Sequence, residues 1–361
     1  MFARTAPFRC TATLAGVGLL LAACSDAGTP APTSPGEPEN LSVSVVTAFY
    51  PLHFLAEQVG GDLVGADDLT PSGADPHDLE LSPVDVAMIE QADVVVYLSG
   101  FQPAVDAAME QVSGPVGLDL AEVVDLQDTS ATVRSGTDSG TASDDEHAHD
   151  DHGHDDDHND DHAHDDDHAR DDDHNDQHAH DDDHDGHDHG TEDPHFWLDT
   201  ERMATAAHAL AEALGQTATE HAGTFEANAA QLQADLDALD EHYRTTLASC
   251  SDEVMLVSHL AFGYLAMRYD LTQVGIAGLD PHVEPSPARL AEIRAVVLAE
   301  GVNTIFVDPL ASARVSDALA AELDLQVLTL DSLENLHPPA TDYFEVMEAN
   351  LEALAEGLTC R

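Results

Sequence analysis

The chain has 361 residues, which suits about two domains of roughly 100–200 residues each. Its formal net charge of −60 excludes nucleic acids and anionic membrane surfaces as binding partners, because they would repel it. The hydrophobic fraction of 43% is sufficient for ordinary cores.

The N-terminus has the pattern of an export signal. Arg4 and Arg9 precede the apolar stretch TATLAGVGLLLAA, which is short for a membrane span. The stretch ends in LAAC, which resembles a bacterial lipobox, so we expect residues 1–23 to be a lipoprotein signal peptide and Cys24 to carry lipid. The alternative is an ordinary signal peptide followed by an incidental cysteine.

Residues 24–40 are rich in Pro, Gly and Ser, a composition typical of a flexible tether. The mature protein is therefore expected on the outer face of the cell membrane, extracytoplasmic or periplasmic, held by its lipid. Cys10 leaves with the signal peptide, so Cys250 and Cys360 are expected to form a disulfide in this oxidising compartment. A thiolate metal pair is the weaker alternative for these two cysteines.

From Leu41 onward, short apolar strands alternate with helices, a pattern typical of mostly parallel α/β sheets. The first unit contains the strands LSVSVVTA and DVVVYLS, with LVGADDL as a further candidate, and the helices PLHFLAEQVG and SPVDVAMIEQA. The second unit contains the strands EVMLVS, LTQVGIA, NTIFV and LQVLTL, and three helices that begin SPARL, SARVS and TDYFE.

A long helix is predicted between the two units, over residues 217–247. Its apolar residues alternate at steps of four and three, namely Phe225, Ala229, Leu232, Leu236, Leu239 and Tyr243. Such a helix is about 40–45 Å long, enough to join two lobes, although the pattern also fits an ordinary amphipathic core helix.

Residues 144–190 consist almost entirely of Asp and His. With so few apolar residues the segment cannot form a core, so we expect a disordered loop that binds metal weakly. Its histidines are His147, His149, His152, His154, His158, His162, His164, His168, His174, His178, His180, His184, His187 and His189.

These patterns together predict an α/β fold of two lobes, each a mostly parallel sheet flanked by helices, joined by one long rigid helix. The expected divisions after the tether are an N-terminal lobe over residues 41–200, linking helices over 201–249 and a C-terminal lobe over 250–361. Ligands of such folds bind at the carboxyl ends of strands, so the metal site is expected in the cleft between the lobes.

Three histidines occupy loops at predicted strand ends or beside the Asp/His loop. His77 lies in ADPHD, His195 in DPHFW and His259 in LVSHL. A single histidine in such a loop is more often a cap or a surface residue, but three of them, two in Asp-Pro-His, indicate a metal site.

The sequence resembles the metal-binding solute-binding proteins of ABC transporters, in the zinc/manganese group known as cluster A-I, and is most similar to its zinc-uptake (ZnuA-type) branch. The stretches that carry the resemblance span nearly the whole mature chain: VVTAFYPLHFLAEQVGGD, GADPHDLELSPVDVAMIEQADVVVYLSG, DPHFWLD, VSHLAFGYLAMRYDL, EPSPARLAEI and TIFVDPLAS. The Asp/His loop also precedes DPHFW, where zinc-type members carry theirs.

The resemblance implies that His77, His195 and His259 bind the metal, with Zn²⁺ as the transported ligand. Imidazole nitrogens suit Zn²⁺, and manganese-type relatives tend to carry a carboxylate where this chain has His259. For the fourth position we expect Asp308, with water or a different carboxylate as alternatives and Glu80 as a poorer one. Asp75 and Asp193 are expected to orient imidazoles or cap turns.

The resemblance implies a monomeric, non-enzymatic receptor that captures Zn²⁺ and delivers it to an ABC permease, with the Asp/His loop collecting or sensing zinc. The alternatives are a manganese receptor, a zinc-buffering adhesin-type lipoprotein that relies on the loop, and a metallohydrolase. The last is disfavoured because the sequence has no HExxH motif and no evident general base or nucleophile.

Overall fold

The computed structural model describes residues 43–128 and 192–361, which belong to one compact unit, Asn40–Arg361. The signal peptide, the tether with Cys24, and the Asp/His loop with its fourteen histidines lie outside the described residues. The predicted division into lobes at residues 200 and 249 stays a prediction. Below, "N-terminal half" means residues 43–128 and "C-terminal half" means residues 250–361.

The N-terminal half contains a four-stranded sheet in the order β2-β1-β3-β4, with every neighbouring pair parallel. Its strands are β1 (Val43–Thr47), β2 (Val64–Asp68), β3 (Val94–Tyr97) and β4 (Val116–Asp119). Its helices are α1 (Tyr50–Gly60), α2 (Pro83–Gln91) and α3 (Pro103–Met109). Ser82 caps α2 through its side chain and Pro83 occupies the first turn, as the Ser-Pro pair predicts.

A short antiparallel pair, β5 (Gln127–Asp128) and β6 (Glu192–Asp193), brackets the segment that the structure leaves undescribed. The linking helices follow as α4 (Thr200–Thr217) and α5 (Ala222–Leu247). The predicted helix over 217–247 therefore begins later than expected, because Ala218 leaves the helical region with φ −126° and ψ 76°.

The C-terminal half repeats the architecture with a second parallel sheet in the order β10-β9-β7-β8. Its strands are β7 (Val254–Val257), β8 (Thr272–Gly275), β9 (Thr304–Val307) and β10 (Gln326–Thr329). Its helices are α6 (Gly263–Arg268), α7 (Pro287–Glu300), α8 (Ala313–Leu323) and α9 (Tyr343–Gly357). Two parallel sheets flanked by helices confirm the predicted fold class.

The long helix α5 joins the two halves, as its length predicts. Asn228 donates a hydrogen bond from Nδ2 to the carbonyl of Val59 near the end of α1, at 2.9 Å. Further along α5, Tyr243 donates from its hydroxyl to the carbonyl of Met347 in α9, at 2.5 Å. All six residues of the predicted apolar seam are buried, and the main core continues from one half into the other.

The expected disulfide is present between Cys250, just after α5, and Cys360, just after α9. It ties the end of the chain to the start of the C-terminal half. Among the described residues, no helix combines the length and apolar character needed to cross a membrane.

Candidate metal centre

The two Asp-Pro-His stretches form turns of the same kind. In each, the aspartate accepts the backbone N–H of the histidine two residues later: Asp75 Oδ1 from His77 at 2.8 Å, and Asp193 Oδ1 from His195 at 3.0 Å. Asp193 Oδ1 also lies 2.8 Å from Nδ1 of His195, so it caps the turn and orients the imidazole. The proline between them supplies a fixed φ, which helps to explain why both turns present the imidazole in a defined direction.

The three predicted histidines converge on one carboxylate, that of Glu334. Its Oε1 lies 3.1 Å from Nε2 of His195 and 3.3 Å from Nε2 of His259, and its Oε2 lies 3.5 Å from Nε2 of His77. His195, His259 and Glu334 are fully buried, and the His77 side chain is 5% exposed. Ligand atoms of His77, His195 and Glu334 all lie within 4.8 Å of one another, close enough to share a metal ion.

Strand ends position these side chains. His77 lies in the loop after β2, His259 directly after β7 and Glu334 in the loop after β10, while His195 follows β6. In each parallel sheet the carboxyl ends of the strands lie along one edge. Loops that leave these edges in the two sheets can therefore approach each other. Residues from both halves of the chain therefore build the centre.

Asp308, expected as the fourth ligand, lies within electrostatic reach of His259 and Glu334, and its role as a ligand stays a prediction. Asp308 is 1% exposed, but its Oδ1 accepts the backbone N–H of Leu310 at 2.7 Å and its Oδ2 accepts that of Ser332 at 2.6 Å. Burial raises the pKa of Asp308. Its carboxylate therefore holds the backbone two residues before Glu334, the carboxylate that faces the three histidines. Glu80, the poorer candidate, is exposed.

Sequence reasoning missed Glu334. No motif surrounds it in DSLENLH, and four residues separate it from the C-terminal end of β10 at Thr329. The strand-end criterion that selected the histidines could have found it, had that criterion been applied to carboxylates in every such loop. A glutamate in an irregular loop gives no stronger signal than that.

Burial and hydrogen bonds act in opposite directions on the charges at the centre. Burial alone would lower the pKa of His195, but its hydrogen bonds to Asp193 and Glu334 outweigh burial and raise that pKa to about 9. Burial alone would raise the pKa of Glu334, but its hydrogen bonds to His195, His259 and His77 hold that pKa well below its ordinary range. Without metal, a protonated His195 therefore faces an ionised Glu334, and Nε2 must lose its proton before it can bind a cation.

Aromatic rings enclose the imidazoles. Phe101 meets His77 edge-on with ring centroids 4.7 Å apart, and Trp197 lies 5.2 Å from His195. The indole N–H of Trp197 donates to the carbonyl of Ser332 at 2.8 Å, which fixes the loop that carries Glu334. Water is therefore largely excluded, and the polar groups at the centre interact strongly.

The His77 loop is held from two sides. Asn335, next to Glu334, donates from Nδ2 to the carbonyls of Pro71 and Ala74 at 3.0 and 2.8 Å. Gln102 donates to the carbonyl of Pro76 at 3.1 Å. The loop that carries Glu334 is thus hydrogen-bonded to the loop that carries His77, which belongs to the other half of the chain. The geometry of the centre therefore depends on the relative position of the two halves.

His77 is one of the residues that line a cleft. Its lining also includes Phe101, Glu192, Leu279 and Asp280. Two of its lining residues, Glu192 and Asp280, are acidic and attract cations.

Comparison with known proteins places the chain in a family. Residues 45–357 match the model of the family "Zinc-uptake complex component A periplasmic". The chain is similar to the high-affinity zinc uptake system protein ZnuA of Bacillus subtilis, with 31% identity over 96% of each protein. It is also 30% identical to the zinc-binding protein AdcA of Streptococcus pyogenes, over 86% of this chain and 55% of AdcA, so it spans about half the length of that relative.

Among solved structures, the chain is similar to the Zn(II)-bound ZnuA-like domain of AdcA from Streptococcus pneumoniae. The TM-score is 0.63 at 26% identity, covering 88% of this chain and 98% of that domain. Fold, family match and sequence identity agree. The chain belongs to the family of zinc-uptake complex component A, whose members are solute-binding receptors for zinc transport and not enzymes.

Proposed function

We propose that this chain is an extracytoplasmic receptor that captures one Zn²⁺ with His77, His195, His259 and Glu334. The observation that carries the proposal is the convergence of three buried Nε2 atoms on one buried carboxylate, at 3.1 to 3.5 Å. Zn²⁺ binds nitrogen and oxygen ligands at about 2.0–2.1 Å in a tetrahedron, whose edges are then about 3.3–3.4 Å long. The three oxygen–nitrogen distances are close to these edges, and the ligand atoms of His77, His195 and Glu334 lie within 4.8 Å of one another. His259 would have to come closer to His77 and His195 to complete the tetrahedron.

The donor set favours Zn²⁺ over Mn²⁺. Mn²⁺ suits carboxylate, carbonyl and water oxygens in octahedral geometry, whereas three of the four groups here are imidazoles. We infer delivery of the ion to an ABC permease from the relatives named as zinc uptake proteins. The cross-connection between the Glu334 and His77 loops supports this step, because it couples metal binding to the relative position of the two halves, which a permease can sense.

Anchoring and the Asp/His loop complete the proposal. Cys24 carries the lipid and residues 25–40 hold the folded part away from the membrane, in keeping with related AdcA proteins named as zinc-binding lipoproteins. The fourteen histidines of the loop bind zinc weakly and raise its local concentration. A buffering or adhesin role that depends on the loop remains the alternative, and deletion of residues 144–190 separates it from the receptor role.

Growth at limiting zinc tests the receptor role. In the host strain that lacks the gene, the wild-type chain should restore growth in chelated medium, and His195→Ala should not. A matched control is His208→Ala, an exposed histidine of α4 that contacts Gln233. Competition of Mn²⁺ with Zn²⁺ on the purified protein completes the test: preferential retention of Mn²⁺ would overturn the assignment of the cargo.

A further inference from the structure

A third Asp-Pro-His stretch, Asp280-Pro281-His282, forms the same turn as the two at the metal centre. Asp280 Oδ1 accepts the backbone N–H of His282 at 2.7 Å, matching the 2.8 and 3.0 Å of the other two turns. The proposed centre does not use His282. Its side chain is 47% exposed, so its imidazole is open to solvent.

The imidazole of His282 crosses from the C-terminal half to the N-terminal half. Its Nε2 lies 2.8 Å from Oδ2 of Asp75 and 3.6 Å from Oδ2 of Asp78. Asp75 is the residue whose other oxygen, Oδ1, fixes the His77 turn. One carboxylate thus has one oxygen toward the His77 turn and the other toward the exposed His282.

His282 and its two carboxylate partners lie close to the cleft that His77 lines. The cleft is lined by His77 and by Asp280, the first residue of the turn that carries His282, so this turn borders the cleft. A cation held between His282 and Asp75 would be adjacent to the loop that carries the first buried imidazole.

We propose that His282, Asp75 and Asp78 form an outer zinc site that receives Zn²⁺ at the rim of the cleft before it reaches the buried centre. The ligand class is one imidazole and two carboxylates, with water completing the coordination. Asp78 is 77% exposed and can turn toward the ion. The site is open and partly hydrated, so it binds more weakly and exchanges faster than the buried centre, as a transfer site requires.

This inference rests on the proposed function, because a transfer site needs a destination. The two can be tested separately, since Trp197 is the only tryptophan and lies beside His195, where its fluorescence reports arrival of zinc at the buried centre. His282 reports the outer site through its own chemical reactivity.

The first measurement is stopped-flow loading of the full-length protein with Zn²⁺, followed by Trp197 fluorescence. His282→Ala should lower the second-order loading rate at least threefold, and Asp78→Asn should lower it by a smaller factor. The matched control is His242→Ala, a 53% exposed histidine paired with Glu348. An unchanged rate would overturn the proposal, and so would a faster rate, because it would make His282 only a barrier across the cleft.

The second measurement is modification of histidines by diethylpyrocarbonate, resolved by mass spectrometry. Once the buried centre is saturated, further buffered Zn²⁺ should slow modification of His282 at least threefold while His242 in the same molecule reacts as before. Lack of protection at His282 would refute the outer site. If Zn²⁺ protected His282 but the wild-type protein gave no Trp197 response and no tight binding, the proposed receptor function would fail instead.

Discussion

Nε2 of His195 lies 3.1 Å from Oε1 of Glu334, although 139 residues separate them and both side chains are fully buried. Burial of a charged group is costly unless it is paired and hydrogen-bonded. The pair therefore holds two distant loops together and, at the same time, presents a nitrogen and an oxygen that a zinc ion can share.

Glu334→Gln should weaken zinc binding by at least about 100-fold. The change keeps the side-chain volume but removes the carboxylate that faces all three imidazoles, and loss even of an outer partner of a metal ligand typically costs about 10–100-fold. Competition with a chromophoric chelator measures the affinity. The matched control is Glu80→Gln, an exposed glutamate near His77, whose affinity should equal that of wild type; equal affinity in Glu334→Gln would contradict the site.

Asp193→Asn should weaken zinc binding by about 10–100-fold although Asp193 does not face the ion. Its carboxylate lies 2.8 Å from Nδ1 of His195 and selects the tautomer that leaves Nε2 available. The variant should also lower the pKa of His195, because the carboxylate of Asp193 helps to raise it. A lowered pKa in a folded protein distinguishes loss of this contact from general unfolding. Histidine NMR of the zinc-free protein measures that pKa. An unshifted value would contradict the orienting role.

Zinc affinity should rise about tenfold for each pH unit between pH 6.5 and 8. Because the pKa of His195 is raised to about 9 without metal, its proton must leave before Nε2 can bind Zn²⁺. Calorimetry in buffers of different ionisation enthalpy should therefore show about one proton released by His195 at pH 7. Binding without proton release would show that His195 is neutral in the zinc-free protein.

The zinc-free fold should lose stability as pH rises from 7 to 9.5. The folded pKa of His195 lies above its ordinary value of 6.5, so its contribution is complete below pH 6.5 and is lost as pH passes through about 9. Thermal unfolding in the presence of a chelator measures the effect, and the midpoint should be lower at pH 9.5. Glu334→Gln removes one partner of His195 and should reduce the pH dependence; an equal dependence in both proteins would argue against the pair.

The sequence predicts most of the fold because its patterns are local. Ser82-Pro83 marks the start of α2, and the apolar seam from Phe225 to Tyr243 identifies the long helix. The break between α4 and α5 at Ala218 could not be predicted, because nothing in its composition marks it.

The candidate centre was only partly predictable for a similar reason. His77 and His195 stand in Asp-Pro-His turns that carry a visible signal, whereas Glu334 is brought to them only by tertiary structure. Asp308 directly follows β9 and so fits the strand-end pattern better than Glu334 does. The backbone N–H groups of Leu310 and Ser332, however, donate hydrogen bonds to its two carboxylate oxygens. Such competition between backbone and ligand for one carboxylate is not visible in a sequence.

The central claim is that one tight zinc site lies at His77, His195, His259 and Glu334, independent of the Asp/His loop. Zinc stoichiometry and affinity of the chain lacking residues 144–190, with and without His77→Ala, test it most directly. The loop-deleted chain should bind one Zn²⁺ tightly, and His77→Ala should weaken that binding by at least about 100-fold. Tight binding of one Zn²⁺ that survives His77→Ala, or its loss on deletion of the loop alone, would contradict the account.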